Sequence, residues 1–323
     1  MIKPILSVVA ISIAAAIPLA VAHADDYPSR PIRLVVPFPP GGGNDNVARP
    51  IAQKLGEALG QTVVVDNRPG AGTMIGAEAV AKATPDGYTL FFGSIASHAI
   101  SPNLYQKVNY DPIKDFEPVS LLASAPTIFV VSPKLPFKTV TELVAAAKAN
   151  PGKYTYGSAG TGTPPPLSGE IFRKEAGIDI LHVPYKGGNG SIPDVISGRV
   201  DMMFDTAASA MQHIKAGNLR PIAISRSARL PDLPDVPTFA EVGFPQFNTA
   251  GWYGILAPAK TPKAVVDKLQ LTLKKVMAEP EIQVRLKALG ADAIGSSPQE
   301  FATYIKSELT KYHDVITEAN IKE

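Results

Sequence analysis

Residues 32–47 read Ile-Arg-Leu-Val-Val-Pro-Phe-Pro-Pro-Gly-Gly-Gly-Asn-Asp-Asn-Val, and this stretch decides the fold. A β-branched run passes through glycines into a segment whose apolar residues recur at helical spacing, which predicts a strand, a loop and a helix. Glycines let a ligand approach the main chain, and the first N–H groups of a helix attract anions. The alternative is a tight turn capped by Asn44 or Asp45. The candidate anion-binding residues are Gly41, Gly42, Gly43, Asn44 and Asp45.

The same alternation of strand and helix patterns continues along the chain and predicts an α/β fold with parallel strands and crossover helices. Local signals mark the ends of helices. Gly60 follows a helical pattern and indicates a C-terminus, and Thr139 with Glu142 forms a capping-box pattern that indicates an N-terminus. Helices are predicted at about 262–289 and 298–319. The predicted strands are 32–36, 62–65, 89–92, 127–131, 154–156, 179–183, 200–204, 222–225 and 252–256.

The strands fall into two similar series, which predicts two lobes with two crossings between them, near 123–126 and 248–251. The first lobe is then discontinuous and comprises residues 25–124 and 250–323, with the second lobe at 125–249 inserted between these parts. A ligand cleft is expected where both sheets present the carboxyl ends of their strands. A single long α/β domain is the alternative.

Further loops begin where predicted strands end, at the sheet edge where ligands bind in α/β folds. The loop at 157–163 repeats the glycine-rich pattern in the second lobe, so the two loops would face each other across the cleft. Loops at 93–98, 184–190 and 205–209 follow other strands. Asp205 is interpreted mainly as the N-cap of the next helix, and it could also accept a hydrogen bond from a ligand.

The first residues have the pattern of a secretory signal peptide: Lys3, an apolar core, and small residues that predict cleavage after Ala24. The alternative is a membrane anchor, but the apolar core is shorter than a spanning helix requires. The mature chain, 25–323, has 30 lysines and arginines against 29 aspartates and glutamates, with no long run of either sign. This balance gives no indication of nucleic acid or anionic lipid as a partner.

The sequence offers few residues for catalysis. It has no cysteine, which excludes disulfides, thiolate metal sites and cysteine nucleophiles, and its histidines show no metal-ligand spacing. Hydrogen-bonded or solvated histidines are the better interpretation. No Gly-x-Ser-x-Gly elbow is present. An α/β enzyme that uses His98 or Asp205 as a base beside Ser94 is the rival from another class.

An ordered set of motifs resembles one known family. The motifs are 36–45 with Ala48-Arg49, Val65-Asp-Asn-Arg-Pro-Gly-Ala-Gly72, Pro85-Asp-Gly-Tyr88, His182-Val-Pro-Tyr-Lys-Gly187, Leu233-Pro-Asp-Val-Pro-Thr238 and Gly251-Trp-Tyr-Gly254. Together they are similar to the Bug family of tripartite tricarboxylate transporter substrate-binding proteins, the TctC-type receptors. The resemblance runs from about Tyr27 to the C-terminus.

This resemblance implies a two-lobed type II periplasmic-binding fold and Venus-flytrap closure over a small mono-, di- or tricarboxylate, or sometimes an aromatic acid or amino acid. With so few residues for catalysis, no enzymatic activity, cofactor or metal is expected. If coupled to transport, the closed form would dock on the membrane permease subunits of a tripartite transporter; alternatively, it would serve a sensor kinase. A monomer is the default expectation for such a shuttle. Pro166, Pro50 and Asn44 depart from the family pattern; Pro50 fits if the regular helix begins there, and Arg49 could pair with Asp45. Besides Gly41 to Asp45, the expected ligand-binding residues are Ser94, Ser97, His98, Ser158, Thr161, Gly162, Thr163 and Asp205.

Overall fold

The structure, a computed structural model, describes residues 27–158, 164–185, 188–245, 247 and 249–318 and contains two β-sheets. The predicted signal peptide, residues 1–24, lies outside the described residues. The strands of the first sheet are β1 (Ile32–Val36), β2 (Val63–Asn67), β3 (Thr89–Ser94), β4 (Phe116–Ala125), β10 (Gly251–Pro258) and β11 (Asp292–Ala293). The strands of the second sheet are β5 (Thr127–Val131), β6 (Thr155–Ser158), β7 (Leu181–Pro184), β8 (Met202–Thr206) and β9 (Arg220–Ser225).

Helices cover both faces of each sheet. In chain order they are α1 (Gly43–Leu59), α2 (Met74–Ala81), α3 (Ser101–Leu104), α4 (Val140–Ala149), α5 (Pro164–Ala176), α6 (Gly188–Ser197), α7 (Ala207–Lys215), α8 (Lys263–Ala278), α9 (Pro280–Ala288) and α10 (Pro298–Glu318). In the first lobe, α1, α8 and α9 pack on one face and α2 and α10 on the other. In the second lobe, α4 and α5 lie opposite α6 and α7. Among the described helices, none is both long and apolar enough to span a membrane.

The strand order is β11-β4-β10-β3-β1-β2 in the first sheet and β7-β6-β8-β5-β9 in the second. The prediction of parallel strands is confirmed for β1 with β2 and β3, and for β6 with β7 and β8. It is wrong for β5 and β10, which run antiparallel to the strands beside them. Each of these two strands enters its sheet directly from the other lobe, so it arrives in the reverse direction.

The ten-residue strand β4 was not predicted from the sequence. Its residues, Phe-Glu-Pro-Val-Ser-Leu-Leu-Ala-Ser-Ala, include few β-branched side chains and one proline, which are weak strand signals. Its pairing with β10 contains two register shifts, and Pro118 lies opposite Leu256 at one of them. The neighbouring strands therefore determine this element more than its own residues do.

The two lobes are joined by two chain segments that run side by side. Pro126 alone separates β4 of the first sheet from β5 of the second. On the returning segment, Gly251 pairs with Ala125, and the Thr127 hydroxyl donates to the Thr249 carbonyl at 2.7 Å. The two crossings therefore form one buried connection, from which both sheets extend.

Most predicted helix boundaries follow the local signals. Gly60 closes α1 in a left-handed conformation, and Thr139 and Glu142 form both hydrogen bonds of the capping box. Pro50 differs from the expectation, because α1 begins at Gly43 and places this proline inside the helix. An interior proline removes one main-chain hydrogen bond and costs about 3 kcal/mol. The prediction of one helix over 262–289 is also corrected, because Pro280 starts a separate helix.

The packing at Gly254 gives a test of the first lobe. A Cβ at this position would overlap the buried Phe301 ring of α10 and lie 2.9 Å from the Ser120 carbonyl oxygen. We expect Gly254→Ala to lower the free energy of unfolding by about 1–3 kcal/mol. Urea unfolding followed by circular dichroism measures this change.

Phe301→Leu provides the matched control, because a smaller side chain makes room for the added methyl group. The cost of Gly254→Ala should be smaller in the Phe301→Leu background than in the wild type. Equal costs in the two backgrounds would mean that the overlap with Phe301 is not the cause.

Candidate functional site

The N-termini of two helices from opposite lobes meet at the glycine-rich loop. A Cβ at Gly43 would lie 2.9 Å from the main-chain nitrogen of Ser209, in the first turn of α7. Ala208 beside it is buried in the same apolar cluster as Phe38 and Val47 of the first lobe. The loop predicted to bind an anion therefore contacts the second lobe directly, and only a residue without a side chain fits at position 43.

Neither of these helix N-termini is capped by a side chain. The N-cap residue of α1 is Gly42, and the N-cap residue of α7 is Thr206, whose hydroxyl makes no capping hydrogen bond. The first N–H groups of a helix have no partners within the helix, and the helix dipole places partial positive charge there. Two such ends facing each other favour a negatively charged group between the lobes.

Asp45 holds the glycine-rich loop in place from behind. Its carboxylate accepts hydrogen bonds from the Gly41 N–H at 2.8 Å, Arg49 Nε at 2.6 Å and Asn67 Nδ2 at 2.9 Å. Asn67 Nδ2 also donates to the Phe38 carbonyl. Burial opposes ionisation of Asp45, but these hydrogen bonds outweigh burial and lower its pKa. The predicted pairing with Arg49 is confirmed, and Asp45 serves the loop rather than facing the other lobe.

Ser94 and Ser97 form a buried turn after β3. The Ser97 hydroxyl accepts from the Ser94 N–H at 3.1 Å, donates to the Ser94 carbonyl at 3.0 Å and lies 2.9 Å from His98 Nδ1. These contacts occupy Ser97 with the main chain of its own turn. The Ser94 hydroxyl, in contrast, is buried without a hydrogen-bond partner.

His98 contacts Ser97 through Nδ1, but the rest of its ring lies in the core of the first lobe. Its ring is fully buried in the first lobe against Phe116, Phe91 and Trp252, with ring centroids 4.8, 5.8 and 6.3 Å away. Phe91 and Trp252 belong to the cluster on the α10 side of the sheet, opposite the α1 side. Burial lowers the pKa of His98 to about 3, so the ring is neutral. This packing fits a structural histidine.

Ser158 ends β6 in the second lobe. Its buried hydroxyl lies 2.6 Å from His182 Nε2, and the His182 ring stacks on Tyr156 at 4.8 Å between centroids. Burial lowers the pKa of His182. The interpretation of His98 and His182 as hydrogen-bonded histidines is therefore confirmed. Thr161, Gly162 and Thr163 lie outside the described residues.

Asp205 differs from its main interpretation as a helix cap. It is the fourth residue of β8, and the N-cap position of α7 belongs to Thr206. Its Oδ1 atom accepts from the Thr206 N–H at 2.7 Å, whereas its Oδ2 atom is buried without a hydrogen-bond partner. Burial raises the pKa of Asp205 to about 6, although hydrogen bonding by the Ser209 side chain and the Thr206 N–H opposes this shift.

Three residues at this site were not selected from the sequence. Tyr253 faces the lobe contact from β10, Ser209 fills the space beside Gly43, and Asn67 supports the glycine-rich loop. They lie in the stretches 65–72, 205–209 and 251–254, but nothing in their local pattern distinguishes them from ordinary strand or helix residues. Within the described parts of the chain, no cluster of His, Asp and Glu could hold a metal ion.

Comparison with known proteins places these features in a family. The profile described as "Tripartite tricarboxylate transporter family receptor" matches residues 47–321. The chain is 42% identical over 295 residues to a protein of Pseudomonas sp. strain P51, "UPF0065 protein in tcbD-tcbE intergenic region", covering 91% of this chain and 88% of the relative. It is 35% identical to "Protein BugT" of Bordetella pertussis over 319 residues, or 98% of each chain.

Solved structures are similar over nearly the whole described chain. "Structure of a periplasmic transporter" superposes with a TM-score of 0.89 at 43% identity, covering 92% of this chain and 99% of the other. "R. palustris Rpa4515 with adipate" gives 0.89 at 36% identity with the same coverage. "MatC (Rpa3494) from Rhodopseudomonas palustris with bound malate" gives 0.85 at 32%, covering 90% and 100%.

These structures share the two-lobed periplasmic-binding architecture, which confirms the predicted fold class. The family and its structural neighbours are solute-binding receptors, so the rival interpretation as an enzyme is set aside. With a family profile that matches residues 47–321, this chain belongs to the tripartite tricarboxylate transporter family of receptors.

Proposed function

We propose that this protein is an exported receptor that closes two lobes over a small carboxylate and presents it to the membrane permease of a tripartite transporter. The observation that carries the proposal is the meeting of two helix N-termini, at Gly43 and Ser209, neither of which is capped by a side chain. An anion between them receives hydrogen bonds from both lobes. The adipate and malate bound by two structural neighbours have this charge.

The lobes in this proposal are residues 25–124 with 250–323, and residues 125–249. Export follows from the signal-peptide pattern at 1–24, with cleavage after Ala24 and release into the periplasm. The sheets are built from the corresponding strands, and the two crossings at Pro126 and Thr249 lie next to each other. Rotation about one such connection can separate the lobes without unfolding either core.

The ligand contacts in this proposal come mainly from main-chain N–H groups and hydroxyls. In the first lobe they are Gly42, Gly43, Asn44 and the free Ser94 hydroxyl. In the second lobe they are Ser158 and Asp205, together with Thr161, Gly162 and Thr163, which lie outside the described residues. Asp45, Ser97 and His98 support these residues from behind, because their polar groups are engaged or buried elsewhere. A lining of this kind recognises a carboxylate without an arginine clamp.

Ligand binding then shifts an equilibrium between open and closed lobes. A carboxylate that touches only one lobe in the open state gains the second set of hydrogen bonds on closure, so it stabilises the closed state by this difference. Closure also excludes water from the charged group and strengthens each hydrogen bond. The closed form is the signal that a permease can distinguish from the empty receptor.

A thermal-shift screen of residues 25–323 tests carboxylate capture. We expect at least one acid among aliphatic dicarboxylates and tricarboxylates, aromatic acids and acidic amino acids to raise the melting temperature in a concentration-dependent way. At 100 times Kd, a ligand that binds only the native state adds about 2.7 kcal/mol to its stability. Neutral sugars serve as the control, and stabilisation by sugars alone would contradict the proposal.

Substitution at Gly43 tests whether binding requires closure. The added methyl group of Gly43→Ala would clash with the main chain of Ser209, so the closed state should become less populated. We expect Kd for the best carboxylate of the screen to rise about tenfold or more, which corresponds to about 1.4 kcal/mol. Calorimetry measures Kd, and small-angle scattering with and without ligand follows compaction.

Gly42→Ala is the matched control for this substitution. Gly42 has a φ of −77°, which any residue adopts, and a Cβ there would lie 3.5 Å from the Pro39 carbonyl, in ordinary contact. We expect this variant to bind and compact nearly as the wild type does. If Gly43→Ala also bound and compacted like the wild type, closure at this contact would not be needed for binding.

A further inference from the structure

A short hydrogen bond joins a serine and a histidine at the carboxyl ends of two parallel strands in the second lobe. Ser158 is buried, and its Oγ atom lies 2.6 Å from Nε2 of His182. In the pairing of β6 with β7, Tyr156 lies opposite His182, so the His182 ring reaches two residues further along β6 to Ser158. Ser158 is the last residue of β6, at the sheet edge where ligands bind in α/β folds.

The His182 ring rests on a platform that other side chains hold in place. It stacks on Tyr156 with 4.8 Å between the ring centroids and 19° between the planes. The Tyr156 hydroxyl donates to Glu170 at 2.5 Å, and Glu170 also accepts from Arg173 Nη2 at 3.0 Å and Nε at 3.1 Å. These contacts tie the platform to α5, so Nε2 of His182 stays directed at Ser158.

A serine beside a histidine is also the arrangement of a nucleophile and its base. A catalytic pair of this kind needs a third group that orients the histidine. The charge of Glu170 acts on His182, but the Glu170 oxygens accept from Tyr156 and Arg173 instead of from the imidazole. The contacts therefore favour a role in binding over attack on a substrate.

The single proton of the Ser158 hydroxyl has two possible destinations, and His182 decides between them. If Nε2 carries no proton, it accepts the serine proton, and the hydroxyl then presents only lone pairs, which repel a carboxylate. If Nε2 carries a proton, it donates to Oγ, and the serine proton is free to donate to an anion. The charged imidazolium always donates, whereas the neutral ring does so in only one of its two tautomers.

We propose that His182 is a positioning residue for ligand capture: its Nε2–H donates to Ser158 and thereby directs the serine proton at the bound carboxylate. This inference rests on the proposed function, in which Ser158 contributes to the ligand site. A protonated His182 fixes Ser158 as a donor, so the receptor binds its acid more tightly as the pH falls.

The direction of the pH dependence follows from the groups around His182. Burial lowers the pKa of His182, and the charge of Glu170 opposes this shift. The other titratable or charged groups of this cluster are Tyr156 on β6 and Arg173 on α5. A bound carboxylate favours the imidazolium and raises its pKa in the complex. The added affinity is therefore complete below the pKa of the free protein and is lost as the pH rises through the higher pKa of the complex.

Two substitutions at His182 separate its donor from its ring. The probes are malate, adipate, citrate, benzoate and glutamate, and calorimetry between pH 5 and pH 8 gives Kd for the tightest of them. For the wild type we expect Kd to fall about three- to tenfold from pH 8 to pH 5. His182→Phe keeps a ring on Tyr156 but has no donor, and should raise Kd at pH 7 about five- to twentyfold. His182→Gln supplies an N–H that does not titrate, so it should recover most of this loss without the His182 part of the pH dependence.

A second background shows whether the effect passes through Ser158. In Ser158→Ala, His182→Phe should cost no further affinity, because the hydroxyl that it directs is absent. Titration of the acid itself and of Asp205 is common to the wild type and His182→Gln, so the difference between their pH profiles isolates His182. Asp205 also lies on the other face of the second sheet, opposite Ile128.

The outcomes separate this inference from the proposed function. Identical pH profiles for the wild type and His182→Gln would overturn the role of His182 and leave carboxylate capture standing. An equal loss from His182→Phe with and without the Ser158 hydroxyl would also overturn it, since the ring would then act only by packing. Circular dichroism verifies that each variant is folded. Failure of every probe to bind the wild type would overturn both proposals.

Discussion

The structure depends on one buried connection, in which the two crossings between the lobes are hydrogen-bonded to each other. Thr249 is its centre: its carbonyl accepts from Thr127, its N–H donates to Ser225 at 2.6 Å, and its hydroxyl accepts from Ser168 at 2.8 Å. These partners are all in the second lobe, whereas Gly251, two residues later, pairs with Ala125 in the first sheet. Both lobes are thus tied to the same few residues.

This connection explains why two strands run against their neighbours. β5 and β10 begin at the connection and run away from the opposite lobe, whereas strands beside them, such as β8 and β3, end there, so each of these pairs is antiparallel. Strands β3 and β8, with β1 and β6 parallel to them, have their carboxyl ends on the side of the connection. The helices that follow β1 and β8 therefore begin at the contact between the lobes.

The elements that could be predicted from the sequence are those that local chemistry determines. The capping box at Thr139 and the left-handed cap at Gly60 depend on a few neighbouring residues, and both were predicted correctly. The direction of β5, the strand β4 and the helical position of Pro50 depend on contacts between distant segments, which a local pattern does not contain. Tertiary packing overrides local preference at these places.

The candidate site, too, was predictable only where local sequence determines it. The glycine-rich loop and Asp205 were recognised because a strand ends beside them, but their roles depend on partners far away in the chain. Asp45 bonds Asn67, which turns a candidate ligand contact into a support for the loop. Asp205 accepts from the Thr206 N–H, and Thr206 rather than Asp205 is the N-cap residue of α7. The local sequence pattern identified these residues, but it could not predict which distant residues they contact.

The charged residues of the glycine-rich loop pair with each other. Arg49 and Asp45 form an ion pair that holds the loop, so the polar groups left at the loop are main-chain N–H groups and hydroxyls. Groups of this kind are fixed by the backbone, and their positions change little when surface side chains vary.

The close approach of Gly43 to Ser209 has a practical consequence for following the motion of the lobes. The whole chain contains no cysteine, so thiols introduced near these two positions would be the only ones to label. A pair of fluorophores attached at exposed residues of α1 and α7 would report the separation of the two helices as an optical signal. The fold therefore offers a scaffold for a reagentless sensor of whichever solute it captures.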